Sequence, residues 1–153
     1  MRRYGWLEIF VGAMMSALVV DVFVQVVLRY VTYQPLAWTE EIARLLFIWI
    51  CLLGAAIGVK RGTHFTVTLL LDAIPVPLAS MCQFFLRIVE AGFYLTLTSS
   101  GIIVTRVAHL QHSPSLEYPM SLSYVVIAIS GALMTVFSVR LAYLALFPGG
   151  HRA

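Results

Sequence analysis

Charge is scarce in this sequence. Of its 153 residues only 11% are Asp, Glu, Lys or Arg. A water-soluble domain carries about a quarter, so the chain lacks the polar cover that a sphere in water needs. Cysteine is rarer still, at two residues. Cys51 and Cys82 fall at different depths of different apolar runs, and no CxxC or Cys/His cluster accompanies them. A disulfide framework is therefore excluded, and both read as packing residues. None of the four histidines lies inside an apolar run; methionine could serve on one side of a haem in a membrane anchor, but a pair of axial ligands is not evident. His109 and His112 stand three apart but have no further ligands near them, which leaves a metal site without support. No basic stripe interleaved with aromatics is present, and the net charge is only +3; nucleic acid is not a partner. Strand-length alternation of apolar and polar residues is also missing, which excludes a transmembrane barrel.

What remains is apolar. Hydrophobic residues make up 61% of the chain, and the mean hydropathy is +0.93. Four runs, over about 7–28, 42–59, 88–104 and 122–147, each approach the ~20 residues that cross a ~30 Å hydrocarbon core as a helix. The fold class is an all-α integral membrane protein, a single four-helix domain over 1–153. The start, "MRRYGWLEIFVGAMM", is basic like a signal peptide, but the run is too long, and Asp21 and Arg29 fit no cleavage region. With the N-terminus inside, Arg2, Arg3, Lys60, Arg61, Arg87, Arg140 and Arg152 lie on the cytoplasmic side, against Arg29, Arg44 and Arg106 outside. The positive-inside rule thus places both termini in the cytoplasm. Segment 63–74, within "THFTVTLLLDAIP", is too short to span. An amphipathic interfacial helix and an irregular packed loop both fit it.

Charges inside the runs need partners, because a carboxylate on a short stem cannot reach far toward the headgroups. Depth matching pairs Asp21 with Arg44 near the outer ends of the first two helices. It pairs Glu90 with Arg140 near the inner ends of the last two, with Arg87 as the alternative partner of Glu90. In "WTEEIARLLFIW", residues 38–49, Thr39 can cap the second helix, Glu40 and Glu41 meet its positive end, and Arg44 lies within reach of both. Small residues recur at packing spacing: Gly54 and Gly58, Gly12 and Ser16, Ser99 to Gly101, Ser130 to Ala132. They suit packing within the bundle and docking on another membrane protein equally. No proline interrupts a run, and no internal repeat is visible, which argues against a solute path through this chain alone. No nucleophile–base frame appears, so catalysis is not expected.

Residues 36–67, "LAWTEEIARLLFIWICLLGAAIGVKRGTHFTV", resemble the small membrane subunit of tripartite ATP-independent periplasmic (TRAP) transporters, the DctQ-like proteins. The likeness rests on Trp38, Glu40, Glu41, Arg44, Trp49, Gly54, Ala55, Arg61, Gly62 and His64. Residues 113–134, "SPSLEYPMSLSYVVIAISGALM", resemble the family's entry into its last helix, with Leu116, Pro119 and Gly131 in place; "IAIS" stands where many relatives have a proline. The resemblance implies a scaffold without catalytic, substrate, metal or cofactor site. It would brace a large membrane subunit that takes organic acids from a periplasmic binding protein, driven by a cation gradient, usually sodium. Trp38, Glu40, Glu41, Arg44, Trp49, Gly54, Gly58 and His64 would be interface or bundle-fixing residues. The lipid bilayer is the remaining partner, and the cytoplasmic membrane of a bacterium or archaeon the location. Two alternatives stay open: a haem- or quinone-binding anchor of a redox enzyme, and a four-helix subunit of a tripartite tricarboxylate-type importer.

Overall fold

A long apolar segment in hydrocarbon can satisfy its backbone amides and carbonyls only within itself, so it becomes a helix. The computed structural model, which describes residues 5–32, 37–61 and 76–146, contains four: α1 (Trp6–Thr32), α2 (Ala37–Lys60), α3 (Val76–Ala108) and α4 (Ser121–Leu146). Each holds a stretch long and apolar enough to cross a membrane: Trp6–Val31, Ala37–Lys60, Ile88–Ala108 and Ser121–Ala142. The predicted segment 63–74 lies outside the described residues.

The helices overrun the apolar runs that announce them. α2 begins at Ala37 rather than near residue 42, so Glu40, Glu41 and Arg44 belong to its opening turns. Thr39 is consequently inside the helix and wholly buried, not its cap. α3 begins at Val76, a dozen positions before the expected residue 88. Its 33 residues make a rod about 50 Å long against a core of ~30 Å. Pro77 sits in its first turn, where the missing amide costs nothing.

The four helices are arranged as an open row. Among the described residues α1 packs on α2 alone, α2 also packs on α4, and α3 packs on α4 alone. Two antiparallel hairpins, α1–α2 and α3–α4, thus meet along α2 and α4, which run parallel. In the first hairpin α1 turns a stripe toward α2. Leu7, Val11, Met14, Leu18, Asp21 and Gln25 are half-buried, spaced alternately four and three, the pattern of a helix–helix seam. The rest of α1 is bare, with Val19, Val20, Phe23 and Val27 exposed. Where the hairpins meet, Ala56 and Val59 of α2, Tyr94 of α3 and Met134 of α4 form a buried cluster, with Leu133 and Phe137 against it.

The second hairpin is held by two glycines facing opposite ways. A Cβ added at Gly101 would lie 2.6 Å from the Ala128 amide nitrogen, and one at Gly131 would lie 2.7 Å from Thr98 Oγ1 and 3.0 Å from the Thr98 nitrogen. Backbone therefore touches backbone across α3 and α4, a close approach that only small residues permit. Hydroxyls along this interface return to their own helix: Thr98 bonds the Tyr94 carbonyl at 2.7 Å, Thr105 that of Gly101 at 2.7 Å, and Thr135 that of Gly131 at 2.9 Å. Such back-bonding satisfies a polar group where lipid offers no partner. Gly54 plays no comparable part within this chain, because a Cβ there, as at Gly12, would meet nothing within 4 Å. Cys51 is exposed on α2 rather than packed.

Gly101→Ala should destabilise the detergent-solubilised protein by about 1–3 kcal/mol, the usual cost of overpacking. Gly54→Ala should leave it unchanged or slightly firmer. Thermal melts followed by helical circular dichroism compare the two, and equal shifts would contradict the crossing described above.

Candidate functional site

The polar residues of "WTEEIARLLFIW" become legible once α2 is set beside the loop that joins α3 to α4. That loop, 109–120, folds back on itself. His112 and Pro119 form an isolated antiparallel bridge, the Met120 amide donates to the Gln111 carbonyl at 2.9 Å, and the Ser113 amide donates to the Tyr118 carbonyl at 3.0 Å. The Glu117 amide closes a turn onto the Ser113 carbonyl at 3.1 Å, and Glu117 itself takes φ 53°. This left-handed conformation is disfavoured for a residue with a Cβ. Two consecutive amides, Ser115 and Leu116, are left pointing out of the turn.

Glu41 takes both. The Ser115 amide donates to Oε1 at 3.0 Å and the Leu116 amide to Oε2 at 3.1 Å, while the hydroxyl of the buried Ser113 also bonds the carboxylate. Hydrogen bonds to an ionised acceptor are the strong ones. Two turns further along α2, the Trp49 indole donates to the Leu122 carbonyl at 3.1 Å. An acid and an indole on one helix thus grip backbone groups at the entry to α4. Above them opens a cleft of ≈ 420 Å³ whose walls include Glu40, Glu41, Arg44, Ile48, Tyr118 and Ser123.

The predicted charge pairs fare differently. Asp21 and Arg44 are not joined by an ion pair. Asp21 lies in the α1–α2 seam, with Oδ2 buried and without a hydrogen-bond partner, whereas Arg44 is exposed on the cleft. Similar depth did not become contact, because the two side chains leave different faces of their helices. Nor does Arg44 form an ion pair with Glu40 or Glu41. Glu90 is half-buried on α3 and Arg140 exposed on α4, and the antiparallel register set by Gly101 and Gly131 brings them level. His64 lies outside the described residues. Trp38 is exposed beside the start of α2, and Thr39 is fully buried one position on.

Two other contacts went unforeseen. Glu8 accepts the Gly5 amide at 3.0 Å, reaching back over the first turn of α1 as a capping glutamate does. Its other oxygen faces Arg61 at 3.3 Å and Lys60 at 3.8 Å, so one acid both starts α1 and fastens the end of α2 to it. The signal for it was the hairpin itself: an acid at the start of one span and bases at the end of the next. In the loop, His109 Nδ1 lies 3.2 Å from Ser121 Oγ, so its ring belongs to the turn into α4.

Comparison with known proteins gives the arrangement its family. The family model of tripartite ATP-independent periplasmic transporters, DctQ component, matches residues 18–147. The chain belongs to the DctQ component family. Among curated relatives, the sialic acid TRAP transporter small permease protein SiaQ of Vibrio cholerae is 40% identical over 68 residues, covering 44% of this chain and 39% of that protein. The C4-dicarboxylate TRAP transporter small permease protein DctQ of Rhodobacter capsulatus is 34% identical over 117 residues, 71% of this chain and 48% of that one. The isethionate TRAP transporter permease protein DctMQ of Oleidesulfovibrio alaskensis is 30% identical over 149 residues, 86% of this chain but 23% of that protein. The matched stretches span less than half the length of each of these relatives. With four membrane-crossing helices, this DctQ-family chain is a multi-pass protein of the inner membrane.

Replacing Glu41 by Ala should release the loop of this DctQ-family chain. Hydrogen exchange at the Ser115 and Leu116 amides is expected to quicken about tenfold or more, since each amide loses an acceptor. Glu41→Gln, which keeps one good acceptor oxygen, should fall between. Unchanged protection in Glu41→Ala would mean that the loop holds itself.

Proposed function

We propose that this chain is the small permease subunit of a TRAP transporter. It braces a large membrane subunit during cation-driven uptake of an organic acid delivered by a periplasmic binding protein, and sodium is the expected ion. The observation that carries the reading is the alignment with DctMQ, in which a stretch matching 86% of this chain makes up 23% of a longer permease protein. A module found within a larger membrane chain in one protein is a natural separate subunit in another. The printed cargoes of the relatives, sialic acid, C4-dicarboxylate and isethionate, are small organic acids, which supports that cargo class.

The open row suits a brace. A transporter whose moving part slides through the bilayer needs a static part that resists being carried along, and a broad row of helices resists better than a narrow bundle. Much of the row's surface is bare. The outer face of α1 and the open surface at Gly54 of α2 offer apolar area to a larger neighbour, while Glu41 and Trp49 fix the shape of the row. In this reading both termini are cytoplasmic, the 109–120 loop faces the binding protein, and no residue here touches cargo.

Extraction of the native membrane in mild detergent, with a tag on this chain, should recover a large multi-span subunit in stoichiometric amount. Recovery of this chain only as an isolated oligomer would overturn the assignment.

A further inference from the structure

The cleft above the Glu41 clasp has a chemistry that the clasp does not use. It sits where α2 and α4 both begin, and the membrane-crossing stretches Ala37–Lys60 and Ser121–Ala142 begin there too. Its level is therefore the boundary between headgroups and hydrocarbon. Its lining includes polar groups, Arg44, Glu40, and the Tyr118 and Ser123 hydroxyls, which lie 3.2 Å from each other. It also includes the apolar Leu45, Ile48 and Met120; Leu45 and Ile48 lead along α2 into the span.

Arg44 and Glu40 stand four apart on α2, a spacing at which opposite charges commonly pair. They do not pair here. Arg44 forms no ion pair among the described residues, and neither does Glu40. Both are exposed at the cleft. A free guanidinium is the preferred side chain for binding phosphate, and a free carboxylate one turn away suits an ammonium. The Glu41 carboxylate, although occupied by the loop amides, adds a second negative charge beside the single Arg44. With two acids and one base, the lining disfavours a simple anion and favours a zwitterion that carries its own cation.

We infer that this cleft binds the headgroup of a zwitterionic phospholipid of the phosphatidylethanolamine type. Its phosphate lies on Arg44 and the Ser123 hydroxyl, its ammonium on Glu40, and one acyl chain runs along Leu45 and Ile48. The lipid thereby covers the seam between the two hairpins and becomes a fixed part of the row.

Native mass spectrometry of the full chain, released from nanodiscs of equal phosphatidylethanolamine and phosphatidylglycerol, reads the bound headgroup directly. The wild type should retain phosphatidylethanolamine in preference. Arg44→Gln should weaken retention about tenfold or more, the loss of a charge-assisted bond, and Glu40→Gln should abolish the preference over phosphatidylglycerol. If Arg44→Gln does not fold, Ile48→Trp, which fills the apolar part of the lining and leaves the charges, should displace the lipid at unchanged helicity. Equal retention of both lipids by the wild type, or undiminished retention by Arg44→Gln or by Ile48→Trp, would overturn the inference. So would displacement of the lipid by millimolar inorganic phosphate or glycerophosphoethanolamine, which would show that the cleft takes a soluble phosphate rather than a membrane lipid.

Discussion

One carboxylate joins the halves of this molecule. Each hairpin has its own internal fastening: Glu8 with Lys60 and Arg61 in the first, and the Gly101–Gly131 crossing in the second. Neither fastening says how the hairpins lie together. Glu41 does, by taking two consecutive amides from a loop 74 and 75 residues further along the chain, and Trp49 repeats the hold at 3.1 Å on the Leu122 carbonyl. In hydrocarbon, apolar surface gives no preference for protein over lipid, so helix association rests on packing and polar contacts. A carboxylate at the bilayer boundary can be both directional and strong there. The parallel packing of α2 on α4 and the cleft above it both follow from where Glu41 points.

Burial is thin for the same reason. The buried apolar residues are few, and large exposed ones such as Phe23, Phe47 and Ile103 are spread along all the helices. In water this pattern would mean an unfolded or aggregating chain. In a bilayer it means side chains that already have an apolar solvent, and a protein free to stay wide and flat.

The sequence made some of this legible and hid the rest for identifiable reasons. Hydropathy alone locates four spans, because hydrocarbon thickness sets their length. It misplaces the start of α3, since a helix does not end where its apolar stretch does and Val76–Arg87 belongs to the same rod. Small-residue spacing announces that close contact is allowed but not which neighbour supplies it. Gly54 stands at such a spacing and would meet nothing with an added Cβ, whereas Gly101 and Gly131 make the contact. The importance of "WTEEIARLLFIW" was visible. The target of Glu41 was not, because backbone amides in a turn leave no residue-type signature. Asp21 and Arg44 illustrate the same limit. Counting residues fixes a height along the membrane normal, but the direction of a side chain around the helix decides whether equal heights meet.

The order of the row has an electrostatic consequence. Along it the helices run one way, then the other, the other again, and back, so the two central ones, α2 and α4, point their amino ends at the same boundary. Each such end carries roughly half a positive charge from its aligned peptide dipoles, and side by side these add instead of cancelling. The pair of acids at the start of α2 then serves as counter-charge for a field made by the backbone of two helices. That field would persist through any substitution that leaves the helices in place, so this edge of the molecule has a fixed polarity that its side chains can temper but not remove.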